Sequence, residues 1–230
     1  AEDSLVQPLV EVAKNREPVI VHATQLAEAR EKLAAFAKRT GRRPNVLVFI
    51  MDDVGWGDLG AYGGGVAVGA PTPHLDRLAR EGLKLTSTYS QPSCSPTRAT
   101  IMTGRLPMRH GLLRPPMAGE RGGLEGEITL AQLLSDSGYR TVGVGKWHMG
   151  ENVQSQPQNV GFDEFYGFLT VANIYTEWRD PYFNPDIVTK PERQAFMRNL
   201  DFSKDLVRAR KGGAVEKVRE IDIEVMRQLD

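Results

Sequence analysis

The chain of 230 residues holds a single cysteine, which excludes an internal disulfide framework. It also lacks an excess of either charge, since 29 Lys and Arg face 29 Asp and Glu. A balanced chain has no net field to draw it to nucleic acid or to an anionic membrane. Anion recognition therefore has to be local, and the expected partner is a small molecule, with no nucleic acid. Long apolar runs are missing too. The longest compact one, residues 46–51, is far shorter than the ~20 residues a membrane-spanning helix needs, and no charged-then-apolar leader opens the chain, so no transmembrane segment is expected. Ala1 in place of Met suits a processed export precursor and equally a trimmed chain, and a periplasmic or secreted location is expected over a cytoplasmic one. What is present, 40% hydrophobic and 25% charged residues, is the composition of a chain able to build a sizeable core.

Residues 1–41 read as a helical N-terminal extension. Leu26, Leu33, Phe36 and Ala37 recur at near-helical spacing in a stretch rich in Ala, Glu, Lys and Arg, and Thr40-Gly41 ends it. The remainder, 42–230, alternates strand and helix signals. Residues 46–51, apolar and partly β-branched, have the pattern of a strand covered on both faces of a parallel sheet. A Gly-rich loop over 55–69 follows, then Thr72 as N-cap with Pro73 opening a helix to about Glu81, and a β-rich stretch over 83–89. Residues 129–137 read as a helix closed by Gly138, and 141–144 as another buried strand. Long surface excursions are expected over 151–212, around the compact Gly161-Phe162-Asp163-Glu164-Phe165-Tyr166-Gly167. Val215, Val218, Ile221, Val225 and Leu229 then fall on one helical stripe that is still running at Asp230. Strands alternating with helices imply an α/β sandwich with a mainly parallel central sheet flanked by helices.

The lone cysteine has an unusual setting. Pro96 suits the first turn of a helix, so Cys94 lies just ahead of one that runs to about Thr103 and stops at Gly104. Cys94 then faces the positive end of the helix dipole with Arg98 one turn on, an arrangement that favours an anion. A buried structural cysteine beside a Pro-initiated helix is the alternative, and for Arg98 a surface salt bridge. In an open parallel α/β sheet ligands gather at the carboxyl ends of strands, where Asp52-Asp53 and Gly145-Lys146-Trp147-His148 both fall. Two adjacent carboxylates are costly to desolvate unless a cation lies between them; otherwise they are turn or capping acids. Lys146 and His148 can point the same way, offering a fixed positive charge and a titratable imidazole. Asp58 reads as a loop-organising residue, and His22, His74 and His110 as structural.

Cys-x-Pro-x-Arg followed by Thr-Gly, complete from Cys94 to Arg105, resembles the signature of the type I sulfatases, arylsulfatase-like hydrolases of alkaline phosphatase-like fold. Asp-Asp-x-Gly-x-Gly-Asp, residues 52–58, is similar to their first metal-binding segment, and Gly-Lys-Trp-His-Met-Gly, residues 145–150, to their Gly-Lys-Trp-His-Leu-Gly. The resemblance runs from about Arg43 to the end of the chain. It implies that a formylglycine-generating enzyme converts Cys94 to Cα-formylglycine, whose hydrate attacks the sulfur of a small-molecule sulfate ester and releases alcohol and inorganic sulfate. It further implies a calcium ion on Asp52, Asp53 and the modified Cys94 side chain, with Arg98, Lys146 and His148 stabilising the sulfate. Phosphonate or phosphate ester hydrolysis by the same constellation is the alternative within the superfamily; an anion- or partner-binding fragment without turnover is the alternative outside it. Calcium takes roughly 6–8 oxygen ligands, and nothing after His148 resembles the family's second pair of metal ligands. The sandwich and the metal shell are therefore expected to be incomplete in this chain, 42–230 forming the N-terminal portion of a longer catalytic domain or one completed by a second chain.

Overall fold

A computed structural model of the chain describes residues 22–116, 120, 122–170, 191 and 205–220, which fall in two compact units, one within residues 13–88 and one from Tyr89 onward. In the first, α1 (Ala23–Thr40) ends at Gly41, whose φ of 70° lets its N–H turn back to the Ala37 carbonyl. Its apolar stripe is only partly covered: Phe36 and Ala37 are half-buried, and Leu26 and Leu33 are exposed. A helix so rich in Ala, Glu, Lys and Arg draws on intrinsic propensity as much as on burial. Further along, α2 (Pro73–Glu81) opens with Pro73 in its first turn, as the sequence predicts. The Thr72 hydroxyl accepts the Gly60 N–H at 2.9 Å and donates to Asp76 Oδ1 at 2.9 Å, binding the helix start to the Gly-rich loop. That loop needs glycine where backbone meets backbone: a Cβ on Gly64 would lie 2.0 Å from the Gly57 carbonyl oxygen.

Two expected strands, one within this unit and one ending at its boundary, are not found. Residues 46–51 and 83–89 form no strand, and Leu47, Phe49, Leu83 and Tyr89 are all more than two-thirds exposed. A strand covered on both faces needs a ladder partner at its edges and apolar cover above and below. Among the described residues of this unit there is neither another strand nor a buried large apolar side chain.

The second unit carries the sheet. Three helices come first, α3 (Cys94–Thr103), α4 (Pro107–His110) and α5 (Leu130–Asp136), followed by β1 (Val142–Lys146), β2 (Glu164–Phe168), β3 (Asp205–Arg210) and β4 (Glu216–Glu220). The strands lie in the order β1-β2-β3-β4; β1 and β2 are parallel, while β2 with β3 and β3 with β4 are antiparallel. The described sheet is thus mixed, and β2 and β3 occupy part of the stretch expected to be surface excursion. Residues 171–190 and 192–204 of that stretch lie outside the described residues.

Where a C-terminal helix was expected, β4 takes residues 216–220. Val215 and Val218, three apart, have helical spacing, but the ladder with β3, reinforced by Lys217 Nζ at 2.7 Å from Asp205 Oδ1, makes residues 216–220 a strand. Ile221, Val225 and Leu229 lie outside the described residues.

β1 also departs from expectation, because Val142 and Val144 face solvent, 52% and 77% exposed. The core side of this strand is its glycine side. A Cβ on Gly143 would come within 3.0 Å of the Phe165 ring and 3.3 Å of Phe162, so the aromatic rings take the room that a side chain would need. Trp147 completes the packing edge-on to both rings, at centroid distances of 5.7 Å and 6.1 Å, and its indole N–H donates to the Ser155 carbonyl at 3.0 Å. Ala99, Leu112, Leu124, Val160 and Val207 surround this cluster.

Two polar devices set its frame. Thr129 caps α5, accepting the Gln132 N–H at 3.1 Å and donating to the Val160 carbonyl, and Gly138 at φ 85° closes the helix end. Thr141 and Asp163 clasp each other at the parallel pair's entrance. The Asp163 carboxylate accepts the Thr141 N–H at 2.8 Å, and the Thr141 hydroxyl reaches the Gly161 carbonyl at 2.8 Å. The Thr141 N–H is the first cause holding the Asp163 carboxyl below its ordinary range.

Thr141→Val keeps the side-chain shape and deletes the hydroxyl, leaving the Gly161 carbonyl unpaired. A loss of about 1–3 kcal/mol of stability is expected from urea denaturation. At Asp163 a depressed pKa means stabilisation that is present above the ordinary carboxylate range and lost as pH falls through the depressed value. Asp163→Asn should accordingly show less of the acid-side loss than the parent in the same titration.

Candidate active site at the start of α3 and the end of β1

The sequence brings Cys94 to the head of α3 through three local signals. Ser93 is extended, with φ −150° and ψ 162°, Pro96 sits in the first turn with no N–H to satisfy, and Gly104 at φ 67° ends the helix. Cys94 itself is the first helical residue rather than the one ahead of it. It is partly exposed, in keeping with a thiol that reagents or a modifying enzyme can reach.

The partner element is the chain leaving β1. Trp147 and His148 continue alongside β2 beyond the strand, their N–H groups donating to the Phe168 and Leu169 carbonyls at 2.8 Å and 3.0 Å. His148 then takes φ 54°, a left-handed conformation that costs a β-carbon-bearing residue of order 1 kcal/mol and persists only where surroundings over-determine it. Those surroundings are visible. Its N–H is bound to Leu169, its carbonyl accepts the Ser95 hydroxyl at 2.6 Å, and its ring is 3% exposed with Nδ1 3.3 Å from Cys94 Sγ. The imidazole can accept a proton from the residue-94 side chain or donate one to it, according to tautomer.

Arg98, one turn along α3, is 8% exposed, and its Nη1 donates to the Lys146 carbonyl at 2.6 Å. A guanidinium buried to this degree requires hydrogen-bond partners, and it brings a permanent positive charge beside the helix start. Lys146, half-buried, is the last residue of β1. Within one unit, Cys94 thus meets the His148 ring, and Arg98 meets Lys146 through the Lys146 backbone carbonyl. Burial lowers the pKa of His110, whose Nδ1 accepts the Leu112 N–H at 3.2 Å and whose Nε2 lies 3.3 Å from the Thr100 hydroxyl, so both ring nitrogens are engaged within the fold.

Asp52 and Asp53 belong to the other unit. Asp52 is half-buried, while Asp53 is exposed and left-handed at φ 53°. Asp58 Oδ2 accepts the Gly55 N–H at 2.6 Å, which makes it the loop organiser expected. Among the described residues no group of three or more His, Cys, Asp or Glu side chains converges as a metal centre. The donor chemistry of Asp52-Asp53, adjacent carboxylates just ahead of the Gly-rich loop, nevertheless suits a hard cation, and two such ligands fall short of its shell.

Sequence reasoning missed Ser95. Its hydroxyl, completely buried, ties the helix start to the His148 turn. The only available signal was a small hydroxyl residue directly before Pro96.

The class of protein follows from comparison with known families. The Sulfatase family matches residues 44–213, and the chain belongs to it. Among solved structures, the PsFucS1 sulfatase from Pseudoalteromonas sp. superposes with a TM-score of 0.78 at 44% identity, over 93% of this chain and 44% of that one. This identifies the helices and mixed sheet as part of the alkaline phosphatase-like sandwich. The N-acetylgalactosamine-6-sulfatase of Canis lupus familiaris is 44% identical over 134 residues, 54% of this chain and 25% of that protein. Arylsulfatase G of Homo sapiens is 36% identical over 165 residues, 71% of this chain and 31% of that protein. The chain therefore spans about a quarter to a third of the length of these curated relatives.

Ser95→Ala should leave the buried His148 carbonyl without its donor and cost about 1–3 kcal/mol in chemical denaturation. A variant as stable as its parent would show that the 2.6 Å bond is not needed to hold the turn.

Proposed function

We propose that the chain forms the nucleophile-bearing part of a sulfuric ester hydrolase that cleaves a sulfate ester to an alcohol and inorganic sulfate. The observation that carries this is the approach of His148 Nδ1 to Cys94 Sγ, 3.3 Å, at the head of the Cys-x-Pro-x-Arg helix. Conversion of Cys94 to formylglycine would supply the attacking oxygen, and calcium held by Asp52 and Asp53 would supply positive charge at a sulfate oxygen. The chain's own residues supply the rest. Backbone N–H groups of the first turn of α3 and the Arg98 guanidinium face anionic charge near residue 94. His148 exchanges a proton with the residue-94 side chain, and Lys146 adds fixed positive charge at the strand end. Sulfuryl transfer, like phosphoryl transfer, spreads charge over equatorial oxygens, so such positioning and electrostatics contribute most of the acceleration. The name of the N-acetylgalactosamine-6-sulfatase relative favours a sulfated sugar as substrate. A formylglycine-generating enzyme is the maturation partner this reading requires.

Two measurements test it. In a host with a working maturase, mass spectrometry of the tryptic peptide 85–98 should show aldehyde in place of thiol at Cys94. The protein carrying this chain should then hydrolyse an aryl sulfate and a sulfated hexosamine faster than an aryl phosphate. Cysteine alone in that peptide would remove the nucleophile assignment, and preference for the phosphate would move the activity to the related phosphoesterases. For the metal, Asp52→Asn and Asp53→Asn should each weaken calcium binding at least about tenfold in titration calorimetry, since each exchanges an anionic oxygen for a neutral one. Unchanged affinity in both would place the cation elsewhere.

A further inference from the structure

Ser95, the residue directly after Cys94, spends its hydroxyl on another element. Serine in a helix usually bonds backbone within its own turn, but the Ser95 hydroxyl, completely buried, donates to the His148 carbonyl at 2.6 Å across 53 residues of chain. The acceptor belongs to the residue whose ring meets Cys94. His148 is held at both of its peptide groups: its N–H donates to the Leu169 carbonyl at 3.0 Å on the chain leaving β2, and its carbonyl accepts from Ser95 on α3. Because peptide groups are planar, fixing the two that flank a residue fixes its φ and ψ, and with them the direction of its Cα–Cβ bond. The ring that continues from that bond is 3% exposed, with Nδ1 3.3 Å from Cys94 Sγ. The bond to Leu169 is backbone to backbone and would form with many sequences. The bond from Ser95 is made by a side chain, so a single substitution removes it.

We infer that Ser95 is a positioning residue for His148, its hydroxyl holding the backbone turn from which the imidazole reaches the residue-94 side chain. The need for such a restraint lies in His148 itself. At φ 54° it occupies a conformation that relaxes toward extended or right-handed helical values when its surroundings release it, and either change redirects the Cα–Cβ bond that carries the ring. Cys94 and Ser95 are consecutive residues of α3, so one helical turn carries the sulfur and also holds the backbone of the histidine that faces it. Both ends of the Sγ to Nδ1 contact are thereby referred to the same rigid element. The inference rests on reading Cys94 and His148 as a working pair.

The experiment uses the protein carrying this chain with Cys94 still a thiol, so turnover is not needed. The rate of Cys94 alkylation by iodoacetamide is followed in the tryptic peptide 85–98 for the parent, His148→Ala, Ser95→Ala and the double variant, with circular dichroism to verify a common fold. His148→Ala is expected to change the rate at least about threefold, and Ser95→Ala at least about twofold in the same direction. In the His148→Ala background, Ser95→Ala is expected to change the rate no further, because a residue that acts through the imidazole has nothing left to act on. A Ser95 that only stabilises the helix start gives the same change in both backgrounds, or none. Should Ser95→Ala unfold, the four rates are taken in sucrose, which favours the compact state. A parental rate in Ser95→Ala, a change of opposite direction, or a change that persists in the His148→Ala background overturns the positioning role and leaves the Cys94–His148 pair standing. A parental rate in His148→Ala overturns that pair, and the positioning role with it.

Discussion

Two hydrogen bonds of 2.6 Å, one buried and one part-buried, join the first half of α3 to the end of β1 and the turn that follows it, and the geometry around Cys94 depends on them. Their donors, Ser95 and Arg98, are three residues apart and so lie on one face of the helix. Their acceptors, the carbonyls of Lys146 and His148, stand on either side of Trp147 at the end of β1 and just beyond it. Both bonds are made in the same arrangement of helix and strand end that brings the imidazole to the thiol. A bond of this kind adds only about a kilocalorie per mole to net stability, but breaking it strands a buried polar group at greater cost. The contact is therefore maintained by what its loss would cost.

Behind that contact, the sheet must present the right face. Gly143 leaves room for Phe162 and Phe165, Trp147 packs across both, and the valines of β1 turn outward. A slip of one residue would drive Val142 or Val144 into the rings and carry Trp147 out of the core, so register and site geometry are one requirement. Thr141 and Asp163 pin that register at the opposite end of the pair. Gly145 and Gly167 allow the close approach between the strands, since a Cβ on Gly167 would fall 2.0 Å from the Gly145 carbonyl oxygen.

The unit within residues 13–88 is built on other terms. Its Gly-rich loop is ordered by Asp58, Thr72 and Asp76 through polar contacts and by backbone meeting backbone at glycines, while the apolar residues 46–50 stay exposed. Order here comes from hydrogen bonds and steric fit, with little of the apolar burial that dominates most domain cores. Asp52 and Asp53 sit at the join between that exposed run and that ordered loop, where a chain direction is set without a hydrophobic core to set it.

Much of the helical structure was legible in the sequence, because caps and stops act within a turn. Thr72-Pro73, Pro96 with Gly104, and Thr129 with Gly138 marked helix ends to within about a residue. The chemistry was legible for a related reason: a lone cysteine ahead of Pro96 and a Lys-Trp-His run at a strand end carry unusual residue types in short spacing. The strands were less so. An apolar run such as 46–51 states that it could be buried and does not state what would bury it, and the helical spacing from Val215 is overridden where β3 offers a ladder. The glycine side of β1 reads as empty until aromatic rings from about twenty residues away fill it. By itself the sequence determined the helix starts and stops and the reactive residue types. Only the tertiary structure decided which strands pair, which face of β1 is inside, and that Ser95 and Arg98 fasten His148 and Lys146 beside Cys94. The physical reason is range: capping and dihedral preferences are settled among neighbours, whereas ladders, burial and the satisfaction of buried polar groups are settled between residues tens of positions apart.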